Sequence, residues 1–203
     1  MRRIFITGIG TGVGKTIVSA ILTEALEADY WKPIQAGDLK NSDSIKVSNL
    51  ISNSVSKIHP EAYLLQNPMS PNAAANLENI TIDLDEIILP KTNNSLIIEG
   101  AGGLMVPLND KKFVIDLIKK LDAEVVLVSQ NYLGSINHTL LSLEILKSKG
   151  FKIKGIIFNG EENETSEKYI LNYSGVNYLG RVNQHNAINK EVVLSYKSVF
   201  KNL

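Results

Sequence analysis

A glycine-rich stretch near the start of the chain limits what this sequence can fold into. Residues 8–16 read GIGTGVGKT; they follow the apolar residues 4–6 and precede residues 17–28, whose apolar spacing is helical. Glycines let a backbone curl so that successive N–H groups face inward, and the following helix adds the positive end of its dipole. The pattern therefore predicts a strand, a phosphate-binding loop and a helix, which indicates a nucleotide-dependent α/β protein.

The last residues of this loop carry the chemistry. Lys15 is expected to meet the β- and γ-phosphates of a nucleotide, and the Thr16 hydroxyl to meet a Mg²⁺ ion. The loop is a variant, because five residues separate Gly8 from Gly14 where four are usual, and Ile9 occupies the place of the outer glycine. The alternative is a plain glycine-rich turn, but Lys-Thr after the last glycine favours a nucleotide site.

Composition narrows the class of protein. With 203 residues, of which 44% are hydrophobic, the chain can bury a full core, and we expect a single domain over residues 1–203. The formal net charge is zero and the basic residues are scattered, which indicates no nucleic-acid partner and no membrane partner. The longest apolar runs fall far short of the ~20 residues of a membrane helix. Without cysteines or a signal-peptide pattern, the chain is expected to be cytoplasmic and to act on small molecules.

Apolar runs alternate with amphipathic stretches along the chain, which predicts a mostly parallel sheet with helices on both faces. Strands are predicted at residues 3–7, 30–33, 95–99, 124–129, 154–158 and 178–181. Helical spacing is clear at residues 17–26, 114–121 and 140–146. Residues 52–79 contain three prolines and many asparagines and serines, so an elaborated loop over the sheet edge is predicted there.

Three charged residues lie where predicted strands end or a helix begins, and ligands of parallel sheets bind at the carboxyl ends of the strands. Lys32 closes the second strand and either faces the phosphates or is simply solvated. Asp43 is either a Mg²⁺ ligand or a helix cap. Glu99 lies between a buried run and a glycine-rich turn, as a Mg²⁺ carboxylate or as a salt-bridged residue. With Thr16, the two carboxylates form a reasonable Mg²⁺ set.

Residues 133–138 open another predicted helix after a buried strand, and the free N–H groups there suit a carboxylate or a phosphate. His138 within this segment is assigned no catalytic role, since a histidine at a helix start is more often a packing residue. The three histidines are scattered in the sequence and indicate no metal cluster.

Taken in order, these motifs resemble the dethiobiotin synthetase family, whose ATP-dependent members close the ureido ring in biotin synthesis. The resemblance spans almost the whole chain. The matching residues are Thr7-Gly8 through Thr16, Lys32-Pro33 with Gly37, Ser42-Asp43, Pro68 with Ser70-Pro71, Glu99 through Gly103, Leu133-Gly134 with Ile136-Asn137-His138, and Gly155 with Asn159. The resemblance implies a P-loop NTPase fold and a homodimer whose active sites lie at the subunit interface.

The family reaction consumes 7,8-diaminopelargonic acid, CO₂ and MgATP and yields dethiobiotin, ADP and phosphate. One amine takes up CO₂ as a carbamate, the γ-phosphoryl group moves to that carbamate, and the second amine closes the ring. A carbamate and a triphosphate are both negative, so cations must hold them together. A protein nucleophile is not needed, which agrees with the lack of an evident Ser-His-Asp or Cys-His set.

The resemblance also assigns residues to roles. Contacts to the carbamate and the phosphates fall to Thr11, Lys15 and Lys32, with Gly12, Val13 and Gly14 in the nucleotide loop. The metal would be held by Thr16, Asp43 and Glu99, and Asn159 would read the adenine edge. Ser70 and the Gly102 backbone would line the diamine pocket. The substrate carboxylate would be bound by Leu133, Gly134 and Asn137 of the partner subunit.

A few positions depart from the family pattern. Gly12 stands where some members carry an acidic residue, and Ala36 where a small hydroxyl residue is frequent. Many family members carry a proline shortly after the position of Gly180. This chain has Arg181, Val182 and Asn183 there instead. The metal set and both lysines are intact.

Three other functions compete with this interpretation. A dimeric nucleotide switch that acts through a protein partner typically carries a second lysine early in the loop, where this chain has Gly10, and often a membrane- or DNA-binding tail, whereas residues 192–203 are only mildly basic. An amidating cobyrinate-type synthetase needs a nucleophilic cysteine, which this chain lacks. A binding module that has lost activity is disfavoured by the intact charged residues.

Overall fold

The computed structural model describes residues 2–203, in which a parallel sheet forms the centre of the molecule. Its strands are β1 (Arg3–Gly8), β2 (Asp29–Trp31), β4 (Ile58–His59), β6 (Leu96–Gly103), β7 (Glu124–Gln130), β8 (Ile153–Asn159) and β9 (Tyr178–Val182). They lie in the order β4-β2-β6-β1-β7-β8-β9, and every pairing between neighbours is parallel. Two short strands, β3 (Ile34–Ala36) and β5 (Tyr63–Leu65), pair separately, also in parallel.

Helices connect the strands and cover both faces of the sheet. They are α1 (Lys15–Leu26), α2 (Asp43–Leu50), α3 (Pro71–Leu77), α4 (Val114–Leu121), α5 (Ser135–Ser148), α6 (Glu164–Ser174), α7 (Lys190–Ser195) and α8 (Lys197–Phe200). Two short 3₁₀ turns lie at Leu39–Asn41 and Leu84–Glu86. None of the helices within residues 2–203 has the length and apolar character needed to cross a lipid bilayer.

The core is split by the sheet, because successive side chains of a strand point to opposite faces. Phe5 of β1 packs in one buried cluster with Trp31, Ile98 and the inner face of α4. Ile4 and Ile6 of the same strand pack in a second cluster, against α1 and α8. A third cluster lies beneath α5 and α6. Burial on both faces explains why the central strands are continuous apolar runs.

The predicted α/β fold is confirmed, and all six predicted strands and all three predicted helices are present. Residues 52–79 differ from the predicted loop, because they contain β4, β5 and α3. These elements are too short to produce a visible apolar period, and Pro71 sits in the first turn of α3, where its missing N–H costs little. The sheet strand containing Glu99 also continues to Gly103 instead of ending at the carboxylate.

The inner face of α4 offers a test of the core. Leu117 is buried against the first cluster, whereas Lys119 of the same helix is exposed. We expect Leu117→Ala to lower the free energy of unfolding by about 2–4 kcal/mol, through lost burial and a residual cavity. Lys119→Ala should change it by no more than about 0.5 kcal/mol. Urea unfolding followed by circular dichroism measures both, and equal effects would contradict this packing.

Candidate active site

The loop between β1 and α1 depends on glycine at particular positions. Gly12 and Gly14 have φ angles of 78° and 92°, in the left-handed region that side chains rarely adopt, and Gly14 is the residue at which α1 is capped. A Cβ atom on Gly8 would lie 2.5 Å from Cγ2 of Val13. The loop is therefore tightly folded over the start of α1, as the sequence predicts.

Lys15 is the first residue of α1 and is largely buried. Its Nζ donates a hydrogen bond to the Gly10 carbonyl, over 2.8 Å, so the side chain folds back along its own loop. Burial lowers the pKa of Lys15 to about 8, with a further lowering from the positive charge of Lys32, although the Glu99 carboxylate opposes the shift. Neighbouring carboxylates thus offset the buried positive charge of Lys15 only in part, which suits a group that binds phosphates.

Lys32 is the centre of a buried ion cluster. Its Nζ lies 2.7 Å from Oδ2 of Asp43 and 3.1 Å from Oε1 of Glu99, and it also donates to the Gly100 carbonyl. Burial alone would lower the pKa of Lys32, but the charges of Glu99 and Asp43 outweigh burial and raise it. Lys32 is therefore a charged residue held in place and not a solvated strand-end lysine.

Asp43 is not the cap of its helix. The side chain of Ser42 caps α2 by accepting a hydrogen bond from the Ile45 N–H, and Asp43 is the first helical residue. Its carboxylate faces Lys32, whose charge lowers the pKa of Asp43 despite the opposing effect of burial. Ser42 provides the cap, which leaves the Asp43 carboxylate available to the charged cluster.

Glu99 connects this cluster to the nucleotide loop. The Thr16 hydroxyl donates to Oε1 of Glu99 over 2.8 Å, so Thr16, Asp43 and Glu99 bring three oxygen donors around one point. Within residues 2–203, no group of three or more His, Cys, Asp or Glu side chains is arranged to hold a metal ion. Two carboxylates and a hydroxyl nevertheless fit Mg²⁺, which takes its remaining ligands from phosphates and water.

Two side chains near the cluster were given no role by the sequence analysis. The buried Tyr30 hydroxyl donates to Oε2 of Glu99 over 2.8 Å. The Gln35 side-chain amide bridges two residues: its Nε2 donates to the Gly37 carbonyl, and its Oε1 accepts from the Asp43 N–H. Tyr30 precedes Lys32 by two residues, but its contact with Glu99 depends on the pairing of β2 with β6, which the sequence does not show. No sequence signal points to Gln35.

A single cavity of about 690 Å³ joins the loop, the ion cluster and α3. Its wall includes ten of the predicted site residues: Thr11, Gly12, Gly14, Lys15, Thr16, Lys32, Asp43, Ser70, Glu99 and Gly102. Apolar side chains of Ile34, Met69 and Val106 complete the wall. Ala36, one of the departures from the family pattern, also lies there. The wall of the cavity therefore combines charged and apolar side chains.

The other predicted site residues lie outside this wall. Val13 is buried beneath the loop, and its carbonyl accepts a hydrogen bond from Nδ2 of Asn159 over 3.1 Å. Asn159 packs so closely on Gly14 that a Cβ atom there would lie 2.2 Å from Nδ2. Leu133, Gly134 and Asn137 lie at the exposed start of α5 and do not line the cavity.

Relatives cover nearly the whole chain. A protein of Christiangramia forsetii named ATP-dependent dethiobiotin synthetase BioD is 55% identical over 97% of this chain and 95% of its own length. A protein of the same name from Chlamydia pneumoniae is 44% identical over 99% of this chain and 90% of its own. The chain belongs to the ATP-dependent dethiobiotin synthetase family. A broader family described as an AAA domain matches residues 2–192, and the resemblance inferred from the sequence is confirmed.

Solved structures of more distant proteins share the fold of this dethiobiotin synthetase family member. The cell division ATPase MinD of Pyrococcus furiosus has a TM-score of 0.64 at 15% identity, covering 100% of this chain and 99% of that one. A ParA family ATPase of Chlorobium tepidum has a TM-score of 0.59 at 16% identity, covering 100% and 93%. At such low identity the likeness shows the P-loop fold alone and does not favour the nucleotide switch.

The lowered pKa of Lys15 predicts proton-linked nucleotide binding. Phosphates favour the charged lysine, so its pKa is higher in the complex than the value of about 8 in the free protein. Above pH 8, MgATP binding should take up a proton, and the association constant should fall by up to about tenfold per pH unit. Calorimetry in two buffers of different ionisation enthalpy measures the uptake. Lys15→Met should show none of it, and equal affinity at pH 7 and pH 9 would refute the assignment.

Proposed function

We propose that this protein is a Mg²⁺-dependent ring-closing ligase that converts 7,8-diaminopelargonic acid, CO₂ and ATP to dethiobiotin, ADP and phosphate. The observation that carries the proposal is the convergence of Lys15, Lys32, Thr16, Asp43 and Glu99 on one cavity in a member of the dethiobiotin synthetase family. The cavity wall has charged side chains for phosphates and apolar side chains for an alkyl chain.

The reaction proceeds in three steps. An amine of the substrate attacks CO₂ and loses a proton, which gives a carbamate. A carbamate oxygen attacks the γ-phosphorus of ATP, and ADP leaves, which gives a carbamic-phosphoric anhydride. The second amine then attacks the carbamate carbon, phosphate leaves, and loss of a proton completes the cyclic urea. The substrate supplies each nucleophile, so the protein must position the groups and stabilise charge.

The two lysines provide that charge. Lys15 is largely buried, and within residues 2–203 its Nζ donates one hydrogen bond, to the Gly10 carbonyl, so it can turn to the phosphates with little loss. Lys32 is fixed by Asp43 and Glu99 in the wall of the same cavity, where it would bind the carbamate or the transferring phosphoryl group. Thr11 is exposed at the top of the loop and would donate from its hydroxyl. Preorganised donors of this kind stabilise the charge of the transition state without rearranging.

Thr16, Asp43 and Glu99 would hold the Mg²⁺ ion, which when bound offsets the negative charge of the phosphates. Their oxygen atoms already converge through contacts with one another and with Lys32. Asn159 would read the edge of the adenine base beside the loop. Its side-chain Nδ2 is bonded to the Val13 carbonyl, which holds the residue against the loop. Anchoring would keep the base-reading residue in a fixed relation to the phosphates.

The diamine would lie against the apolar side chains of the cavity wall. The Ser70 side chain makes no capping bond at the start of α3, so its hydroxyl is available to the substrate. Gly102 has a φ of 62°, and a Cβ atom there would lie 2.7 Å from Val106, so the backbone runs close along the cavity wall. Ile34 and Val106 would pack against the alkyl chain.

The substrate carboxylate would be bound by a second copy of this chain, in a cytoplasmic homodimer. No side chain caps the start of α5, where the positive end of the helix dipole would favour a carboxylate, and Leu133 beside it is fully exposed in the single chain. Leu133, Gly134 and Asn137 do not line the cavity of their own chain. A site completed by the partner would use this surface and bury Leu133.

Turnover tests the function directly. With MgATP and bicarbonate, phosphate release should require 7,8-diaminopelargonic acid, and mass spectrometry should detect dethiobiotin. Lys15→Ala should lower kcat by about 100-fold or more, because a donor to the transition state is removed. Lys40→Ala, a change at an exposed lysine outside the cavity, is the control and should keep the wild-type rate. Phosphate release that ignores the diamine would overturn the proposed reaction.

Mixed dimers test the shared site. Asn137→Asp adds a negative charge where the substrate carboxylate would bind, so it should raise the KM for the diamine while leaving the fold intact. A mixed dimer contains one Lys15→Ala subunit and one Asn137→Asp subunit. If the site is shared, one of the dimer's two sites then combines wild-type Lys15 with the partner's wild-type Asn137. Assayed at a diamine concentration well below the KM of the Asn137→Asp protein, where both parent proteins are nearly inactive, equimolar mixing should therefore restore about a quarter of the wild-type activity, since half of the dimers are mixed and each has one intact site. No restoration after subunit exchange would place both residues in one subunit's site.

A further inference from the structure

Tyr30 holds the Glu99 carboxylate from inside the protein. The Tyr30 side chain is fully buried, and its hydroxyl donates to Oε2 of Glu99 over 2.8 Å. Glu99 is itself only 1% exposed, and this bond is the one that its Oε2 makes within residues 2–203. Tyr30 is absent from the wall of the cavity, so it contacts Glu99 from the core and not from the substrate side.

The register of the sheet explains how Tyr30 reaches this carboxylate. β2 and β6 are parallel neighbours, with Tyr30 opposite Ile97. Glu99 follows Ile97 by two residues, so Ile97, Glu99 and Tyr30 share one face of the sheet. Two residues of strand rise span about 6.6 Å, which the length of a tyrosine side chain covers and that of a shorter polar side chain does not.

The two oxygens of Glu99 are thereby given separate partners. Oε1 accepts from the Thr16 hydroxyl and from Lys32, both of which line the cavity. Oε2 faces the core and accepts from Tyr30. A carboxylate held at both oxygens cannot rotate, so a single oxygen, Oε1, is presented to the cavity in a fixed direction.

We propose that Tyr30 is a positioning residue that fixes Glu99 so that Oε1 alone serves the metal site. This inference rests on the proposed function, in which Glu99 is a Mg²⁺ ligand. Partners that orient a ligating carboxylate contribute strongly to metal affinity, and their removal typically weakens it 10- to 100-fold. Loss of the hydroxyl would also leave Oε2 buried without a donor, which favours other rotamers of Glu99.

The test variant is Tyr30→Phe, which removes one oxygen and keeps the ring in the core. Mg²⁺ binding to the protein–ADP complex, measured by calorimetry, should weaken about tenfold. The Mg²⁺ concentration that gives half-maximal turnover should rise by a similar factor. The KM for the diamine should stay near its wild-type value, because Tyr30 does not line the cavity. The matched control is Tyr63→Phe, which removes a hydroxyl bonded to the Asp83 backbone, away from the site.

A double-mutant cycle separates positioning from a general structural effect. If Tyr30 acts through Glu99, Tyr30→Phe should weaken Mg²⁺ binding in the wild-type chain and add little in a Glu99→Gln chain. Wild-type Mg²⁺ affinity in Tyr30→Phe would overturn the inference, as would equal losses in both backgrounds or a Tyr30→Phe protein that does not fold. A wild-type protein that binds Mg²⁺ with ADP but closes no ring would overturn the proposed function and leave the role of Tyr30 intact.

Discussion

The contact between the Lys32 ammonium and the carboxylates of Asp43 and Glu99 holds the site together. It joins residues that come from different parts of the sequence: the residue after β2, the start of α2 and the middle of β6. Removing one partner from such a buried pair typically costs about 3–5 kcal/mol, because a charge is left without compensation. The loop, the sheet and α2 are thus fixed relative to one another by charge as well as by apolar packing.

The same contact keeps strong charges of opposite sign together in a largely enclosed place. Two carboxylates without a cation would repel each other, and two lysines without carboxylates would be hard to bury side by side. Burial lowers the pKa of Lys15 by more than the Glu99 and Asp43 carboxylates raise it, whereas at Lys32 the same two carboxylates outweigh burial and raise the pKa. Two lysines in one cavity thereby differ in character: Lys15 has a lowered pKa and is bonded to a loop carbonyl, whereas Lys32 is held between two carboxylates.

Much of this arrangement could be predicted from the sequence, for reasons that differ between elements. Buried parallel strands are continuous apolar runs, so β1, β7 and β8 were readily found. The glycines before Lys15 have a direct steric meaning, and the position of Glu99 follows from its strand. Residues 52–79 and the polar α6 could not be predicted, because their structure depends on contacts distant in sequence. The role of Tyr30 required the register of β2 against β6, which no local pattern contains.

Asn159 and Gly14 are far apart in the sequence but share one volume. The amide of Asn159 occupies the space that any side chain at position 14 would need, and it holds the loop through the Val13 carbonyl. Neither position can change alone without disturbing the other. Over evolution the two should vary as a pair, and an engineered loop that accepts a different nucleotide would have to be redesigned at both ends of this contact at once.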